Sequence, residues 1–379
     1  MAPLDLSSIP LVDDHCHGFY RDVPRDLTGW RRLFTESRDA GIAERHVPSM
    51  LSYQRLLRAL ADFLGCGPTE AEVLAARQAR GSAHLIGELL RAANIEALLV
   101  DTGYPASELV LPGAEVAAAS GCRVAPILRL ETLMERLIAA HDTLDALEEA
   151  LRAELADVRA RGYVALKSIV AYRTGLAIRA WPREEAERAF AQARAEVRTP
   201  QGLRLAHQPL LDTLLHAAFA EAARQELPVQ LHTGYGDTDA DLLLGNPLHL
   251  RAVLEEPAYR GMPVVLLHAC YPYTREGGYL AAVYEHVYLD LSYGIPFLGY
   301  GELLAFTRAA IGVAPLAKLL YSSDGVGVPE LHWLSARDGR RALAQALGEC
   351  VEQGDLSQRE AERASELVLR ANARHLYRL

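Results

Sequence analysis

The sequence predicts an α/β fold, a (β/α)8 barrel, from three observations. Eight short strand-like runs alternate with helical segments, a pattern typical of parallel βα units, and eight such units close naturally into a barrel. The chain has 379 residues, 50% of them hydrophobic, which is enough for one barrel-sized domain or two smaller ones. Most of the runs also end in a residue able to bind a metal ion, and strand ends are where such barrels carry their sites.

The first strand leads into residues 11–18, which contain His15, Cys16 and His17. Successive side chains of a strand alternate between its faces, so the two histidines are expected to point the same way while Cys16 points away. Two imidazoles on one side of a strand end can share a metal ion. An isolated pair of this kind is also common in surface loops, so the interpretation depends on the rest of the chain.

A long helical region, residues 24–93, follows the first strand. Residues 53–60 have helical apolar spacing, and Thr69 with Glu72 three residues later is a helix-start pattern. The region is too long for a simple crossover, so we interpret it as a helical insertion that can cap a site. No linker, repeat or low-complexity tract divides the chain, and a single domain over residues 1–379 is expected.

The other seven strands are predicted in order along the chain. They are residues 97–101, 123–129, 163–169, 227–232, 263–268, 287–292 and 318–324. Helices are predicted between and after them at about 133–160, 183–197, 209–225, 247–254, 332–352 and 356–374. The acidic stretch 145–154 is predicted to be a solvated helix face.

Several of the strand ends carry a candidate metal ligand. Lys167 lies in the fourth strand, His232 ends the fifth, His268 the sixth and Asp324 the eighth. Together with the histidine pair of the first strand, these side chains would point over one barrel mouth. Imidazoles and carboxylates suit Zn²⁺, Mn²⁺ or Fe²⁺. We therefore predict a site for one or two divalent ions, with Zn²⁺ as the first choice.

The order His-x-His, Lys, His, His, Asp resembles the amidohydrolase superfamily of metal-dependent barrel hydrolases. More closely, the chain resembles the branch whose members occur alone or fused to a glutamine-synthetase-like half. The matching pieces are FTES at 34–37, LKSIVAYRTGL at 166–176, LHTGYGD at 231–237, HACYPY at 268–273 and YSSDG at 321–325. They cover almost the whole barrel. The 379 residues contain no glutamine-synthetase-like half, so a function that needs such a partner is not expected from them.

The resemblance implies roles for three residues. Asp324 would bind metal, hold the attacking water, take its proton and pass it to the leaving amine, although a helix N-cap is the alternative. His268 would bind metal or polarise the substrate carbonyl. In binuclear members the lysine matching Lys167 is carbamylated and bridges two ions. An unmodified lysine beside a single ion, or one paired with Asp101 or Glu131, stays open.

Arginines and tyrosines near the strand ends are predicted to bind the substrate. The arginines can contact an anionic group bidentately, or they can pair with Glu131, Glu276 or other carboxylates of the rim. The tyrosines can line the pocket or serve only in packing. The set is Arg129, Arg173, Arg275, Tyr104, Tyr172 and Tyr235. Cys16 and Cys270 neighbour candidate ligands and are interpreted as packing residues.

Composition narrows the class of protein. The net charge of −10 and the lack of a basic run argue against a nucleic-acid or membrane-surface binder, and no apolar stretch of transmembrane length occurs. The five cysteines are scattered without a Cys-x-x-Cys pair, as expected of a reduced cytoplasmic protein. The expected partner is a small-molecule substrate, and a homo-oligomer is left open.

The predicted reaction is hydrolysis of a carbon–nitrogen bond by metal-activated water. The resemblance implies an amide of a small carboxylate-bearing molecule, such as a γ-glutamyl amide. A non-oxidative decarboxylase with one metal ion uses similar ligands and is the alternative. A non-catalytic metal-binding scaffold is an alternative of another class, which loss of a ligand would favour, and none is missing. Serine-nucleophile and phosphate-loop motifs are absent from the sequence.

Overall fold

Eight parallel strands form the barrel wall, and each pairs with the next in sequence order. The structure, a computed structural model, describes residues 4–199 and 202–379. The strands are β1 Leu11–Cys16, β2 Ile95–Asp101, β3 Arg123–Arg129, β4 Ala165–Ser168, β5 Val229–Leu231, β6 Val264–Leu266, β7 Val287–Ser292 and β8 Leu319–Ser322. The predicted (β/α)8 barrel is confirmed, and the predicted limits of β3 and β7 match the observed ones.

Helices surround the strands and also fill the segment between β1 and β2. That segment contains α1 Leu27–Arg32, α2 Leu51–Leu64, α3 Glu70–Arg80 and α4 Ser82–Ala92. The other helices are α5 Gly113–Ser120, α6 Leu130–Ala140, α7 Leu144–Ala156, α8 Arg183–Val197, α9 Gln208–Gln225, α10 Arg251–Glu255, α11 Thr274–Val283, α12 Tyr300–Ile311, α13 Pro329–Gln353, α14 Gln358–Glu366 and α15 Asn372–Tyr377. No helix within the described ranges is both long and apolar enough to cross a lipid bilayer.

Side-chain caps explain where two of these helices begin. The predicted start at Thr69 is confirmed, because Thr69 and Glu72 form a reciprocal capping box at the head of α3. The single helix predicted at 133–160 is wrong, since α6 ends at Ala140 and a new helix starts after Thr143. The Thr143 side chain accepts a hydrogen bond from the Ala146 amide, which caps α7 and separates it from α6.

Two ion pairs, one buried and one partly buried, hold the helices between β1 and β2 against α13. Arg77 of α3 donates to Glu330 at 2.5 Å, and Arg55 of α2 donates to Asp338 at 2.6 Å. Both carboxylates lie on α13, the helix that follows β8. The segment between β1 and β2 is therefore attached to the barrel beside its last strand.

The barrel interior changes from apolar to polar toward its carboxyl end. Apolar side chains of the strands pack inside it together with Leu376 and Tyr377 of α15. Above them the Tyr377 hydroxyl donates to the Asp14 carboxylate at 2.9 Å and accepts from the Gln230 amide at 2.8 Å. These hydrogen bonds fix a polar layer directly beneath the candidate site.

The first and last strands meet at the barrel mouth. The Asp324 amide donates to the His15 carbonyl at 3.0 Å, and the His17 amide donates to the Gly325 carbonyl at 2.8 Å. Both bonds lie just beyond the end of β8. Closure of the barrel therefore places His15, in β1, and His17, just after it, next to Asp324.

Candidate metal centre

Three of the predicted histidines surround the Asp324 carboxylate. His15 Nε2 and His17 Nε2 each lie 3.4 Å from Asp324 Oδ1, and His268 Nδ1 lies 3.2 Å from Asp324 Oδ2. All four residues are buried, with exposed fractions of 8% or less. Ligands that each lie about 2 Å from one cation are separated from one another by distances of this order. The arrangement therefore suits donors around a single ion.

Hydrogen bonds at Nδ1, the ring nitrogen away from Asp324, fix the orientation and the tautomer of His15 and His17. His15 Nδ1 lies 2.8 Å from Gln230 Oε1, and His17 Nδ1 lies 2.9 Å from the Tyr104 carbonyl. The Gln230 amide nitrogen donates to the Asp14 carbonyl at 2.6 Å, which orients its oxygen toward His15. An acceptor at Nδ1 requires the proton there, so each Nε2 keeps a free lone pair for a metal.

His232 and His268 each contribute a buried nitrogen that lacks a hydrogen-bond partner. In the described part of the chain, neither His232 Nε2 nor His268 Nε2 has one. The two rings are neighbours, with centroids 4.4 Å apart. A buried polar atom left unpaired is costly, and a bound ion or ligand removes that cost. The donor set of this site therefore fits a divalent cation.

The charge states of the site also suit metal binding. Burial lowers the pKa of His15 to about 4 and those of His232 and His268 well below the usual value, which keeps these imidazoles neutral at pH 7. Burial acts to raise the pKa of Asp324, but the neighbouring histidines, His268 above all, hold it well below the ordinary value. Neutral imidazoles and an ionised carboxylate are the forms that bind metal.

Lys167 lies beside this group in β4, with its Nζ atom 3.3 Å from His15 Nε2. Burial lowers its pKa to about 8, which favours the neutral amine. Asp101, one suggested partner, instead accepts from Arg129 at 2.6 and 3.0 Å. Glu131, the other suggested partner, accepts hydrogen bonds from the Ser168 hydroxyl and the Ile169 amide. Lys167 forms no ion pair with either carboxylate in the described part of the chain, although Glu131 Oε2 is left without a hydrogen-bond partner.

Two of the candidate ligands have strained backbone. The φ angles of Asp324 and His268 are +48° and +62°, in the left-handed region that non-glycine residues adopt at a cost of about 1–3 kcal/mol. Ala269 and Cys270 continue that conformation after His268. Asp290 of β7 supports it by accepting the His268 amide at 2.9 Å. Strain of this kind concentrates at functional sites because the surrounding structure must hold it in place.

A cavity of about 250 Å³ opens above the site and contains most of the predicted substrate-binding residues. The six predicted metal ligands line it, together with Tyr104, Arg129, Tyr172 and Arg173. Tyr235 is not among the lining residues and packs against Tyr271. Arg275 also does not line the cavity, because it is exposed at the second residue of α11.

The two arginines of the cavity differ in their surroundings. Arg129 is held in a bidentate ion pair with the buried Asp101, so its charge is already compensated. Arg173 forms no ion pair with any residue that the structure describes, and its buried Nε atom has no hydrogen-bond partner. Arg173 is therefore the better placed of the two for binding an anionic group of a substrate.

Sequence reasoning missed several residues of the site. Glu36 and Arg38, from the segment between β1 and β2, line the cavity, and Arg38 pairs with Asp237 at 2.7 Å and Asp239 at 2.9 Å. Glu36 lies inside the FTES piece that carried the resemblance, which was the signal available for it. For Gln230, the signal was a polar side chain between the apolar residues of β5.

A second group of metal-binding residue types lies between β1 and α13. It consists of Asp13, Cys16 and His332, all buried. The Asp13 carboxylate accepts the Ser323 amide at 2.8 Å and the Ser323 hydroxyl at 2.5 Å. Cys16 lies near the Leu99 carbonyl of β2, on the side away from the histidine pair, as predicted.

Comparison with known sequences identifies relatives. The sequence model of the amidohydrolase family matches residues 123–379. Protein fluG of Emericella nidulans is 31% identical over 411 aligned residues, which cover 98% of this chain and 46% of the fungal protein. The chain therefore spans about half the length of that relative.

Comparison with solved structures identifies the same architecture. A crystal structure from Lactobacillus casei, assigned as a metal-dependent hydrolase, has a TM-score of 0.86 and 30% identity, and the match covers 100% of this chain and 98% of the other. Uronate isomerase from Thermotoga maritima has a TM-score of 0.71 at 15% identity, covering 98% and 95% of the two chains. At that identity the second likeness shows the fold alone.

Proposed function

This chain belongs to the amidohydrolase family, and we propose that it is a metal-dependent hydrolase of small carboxylate-bearing amides. A γ-glutamyl amide is the substrate that we propose to test first. The observation that carries the proposal is the convergence of three imidazole nitrogens on the Asp324 carboxylate, within 3.4 Å and beside a cavity.

The proposed ligands of the cation are the residues that offer free donor atoms. They are His15, His17, His232, His268, Asp324 and, after carbamylation, Lys167. When bound, a divalent cation supplies Lewis-acid activation of water and of the substrate carbonyl. Zn²⁺ suits imidazole and carboxylate donors, and Mn²⁺ or Fe²⁺ are the alternatives.

Asp324 is the proposed proton carrier. Its low pKa keeps the carboxylate ionised, so it can accept the proton of the attacking water. As the water oxygen bonds to the amide carbon and the carbon–nitrogen bond breaks, Asp324 delivers that proton to the leaving nitrogen. The products are a carboxylic acid, which ionises by releasing its proton to solvent, and an amine. Its left-handed backbone conformation orients the side chain toward the histidines.

Two other residues of the chain have proposed roles in the reaction. Arg173 binds the carboxylate of the substrate, since it is half-buried and has no ion-pair partner among the described residues, and its buried Nε atom has no hydrogen-bond partner. His268 binds the cation or polarises the carbonyl, and the Asp290 carboxylate keeps its backbone in place. Holding the substrate in this way supplies the orientation that an efficient reaction needs.

The experiment combines metal analysis with turnover of γ-glutamyl amides and aromatic acids by the purified protein and by the Asp324→Asn variant. We expect bound metal, release of amine from the amides, and a loss of turnover in Asp324→Asn of about 10²- to 10⁴-fold. Near-normal turnover by the variant would remove Asp324 from the mechanism. Carbon dioxide release from the aromatic acids without amide turnover would replace hydrolysis by decarboxylation. Bound metal without either reaction would support the alternative of a non-catalytic metal-binding scaffold.

A further inference from the structure

Glu36 is an acidic residue of the cavity that the proposed reaction does not use. It comes from the middle of the segment between β1 and β2, whereas the proposed ligands lie in the strands or within two residues of their ends. Its carboxylate forms no hydrogen bond or ion pair with any residue that the structure describes, although it lines the same cavity as Asp324. A carboxyl group without a partner in such a place is expected to have one supplied by a ligand.

The surroundings of Glu36 compensate its charge only in part. Arg38 is a nearby cation that acts to lower the pKa of Glu36, but it already forms ion pairs with Asp237 and Asp239. Burial raises the pKa of Glu36 to about 8, and the nearby Asp324 and Asp237 carboxylates add to that rise. A positively charged group entering the cavity would be attracted to this carboxylate and would restore its ionised form.

Arg173 provides the opposite charge in the same cavity. Its guanidinium is also without an ion-pair partner among the described residues, and burial lowers its pKa. The cavity thus offers one unpaired carboxyl group, which an entering cation would ionise, and one unpaired guanidinium beside the candidate metal centre. A neutral or singly charged substrate would leave at least one of them unpaired, whereas a zwitterion pairs both.

We propose that Glu36 binds an ammonium group of the substrate while Arg173 binds its carboxylate, so that the enzyme selects zwitterionic amides. This inference rests on the proposed function and narrows its substrate class. It also gives the segment between β1 and β2 a role in specificity, since that segment brings Glu36 to the cavity. Removing a charged hydrogen bond of this kind is expected to change substrate preference by roughly 10- to 100-fold.

The first test compares two substrates that differ only by the ammonium group. These are a γ-glutamyl anilide and the corresponding glutaryl anilide, and the readout is the ratio of their kcat/KM values. We expect the wild type to prefer the γ-glutamyl compound and Glu36→Gln to lower that ratio roughly 10- to 100-fold. Glu44→Gln removes the same charge from an exposed position of the same segment and should keep the wild-type ratio. A ratio unchanged by Glu36→Gln would overturn the proposal.

The second test measures binding, so that its result is independent of turnover. Calorimetric titration of the metal-loaded protein with L-glutamate and with glutarate should show tighter binding of glutamate to the wild type and a loss of that preference in Glu36→Gln. Glu36→Asp keeps the charge and should keep part of the preference, which covers the case in which Glu36→Gln does not fold. Preference for glutamate without hydrolysis of either anilide would refute only the amide chemistry. Equal binding of the two ligands, or binding of neither, would overturn the role of Glu36.

Discussion

Two clusters of the same residue types lie on either side of β1, and only one of them has the properties of a site. His15, His17 and Asp324 face the cavity, whereas Asp13, Cys16 and His332 lie between β1 and α13. Both clusters are buried, and both bring their ligand atoms within 4.8 Å of one another. Residue type and proximity therefore do not distinguish them.

The difference lies in what the donor atoms already contact. Ser323 occupies both oxygens of the Asp13 carboxylate, one through its amide and one through its hydroxyl. The oxygens of Asp324 instead face imidazole nitrogens whose lone pairs are free. The carboxylate of the first cluster is satisfied by the protein itself, although His332 Nε2 has no hydrogen-bond partner among the described residues, and that cluster does not line the cavity. The donors of the second cluster line the cavity, where a ligand from outside can reach them. Free lone pairs beside a cavity are thus the better criterion for a metal site.

The largest effect on metal content and activity should come from removing the histidines of the cavity cluster while leaving the Asp13 cluster intact. We expect His15→Ala together with His17→Ala to abolish metal binding and activity in parallel, because both imidazoles present Nε2 to the same point. Metal content by elemental analysis and turnover measured on the same sample provide the check.

Cys16→Ser is the matched control for that experiment. It alters the residue between the two histidines but belongs to the other cluster, so bound metal should stay at the wild-type level. Full metal occupancy in the double histidine variant would sink the assignment of the cavity cluster. Metal loss in Cys16→Ser alone would indicate that the ion binds at the Asp13 cluster instead.

Substitution of Lys167 should have an intermediate effect on metal content, and its size depends on whether the lysine is carbamylated. Burial favours the neutral amine, the form that reacts with carbon dioxide to give a carbamate able to bridge two cations. We then expect two ions per chain, loss of one or both in Lys167→Ala, and partial rescue by acetate. Activity that does not respond to bicarbonate, together with one ion retained in Lys167→Ala, would instead indicate an unmodified lysine beside a single ion.

The smallest effect concerns the pH dependence of stability at His332. Burial lowers its pKa from 6.5 to about 4 in the folded protein, so only the unfolded chain binds this proton between those values. The unfolding free energy should therefore fall as the pH drops, by about 2 kcal/mol from this residue between pH 7 and pH 5. Urea unfolding of chelator-treated protein should show a loss on acidification that is smaller by this amount in His332→Gln. Identical pH dependence in the two proteins would show that His332 is not held neutral by burial.

The strand pattern could be predicted because it depends on local sequence. Alternating and apolar runs predicted the limits of β3 and β7, and the candidate ligands at several strand ends predicted where the barrel mouth lies. The break between α6 and α7 was missed because a single capping threonine decides it within a continuous helical pattern. Local sequence patterns thus predict where helices and strands lie better than they predict a break within a helical stretch.

The residues around the ligands were harder to predict because long-range contacts select them. Arg129 and Arg173 look alike in the sequence, and only the position of Asp101 on the neighbouring strand shows that one of them is paired. Glu36 lies in the segment between β1 and β2, where no periodic pattern relates it to the strand ends. Arg275 follows a strand yet is exposed, because the turn after β6 redirects the chain before α11 begins.

The hydrogen bond from the Asp324 amide to the His15 carbonyl has a consequence for how the protein is made. His15 and His17 leave the ribosome well before Asp324, which follows them by the whole set of strands from β2 to β8. A growing chain therefore has the histidine pair but not the carboxylate that it faces, until the eighth strand docks against the first. Loading of the ion is expected to be a late event in biogenesis, and retained metal should report that the barrel has closed.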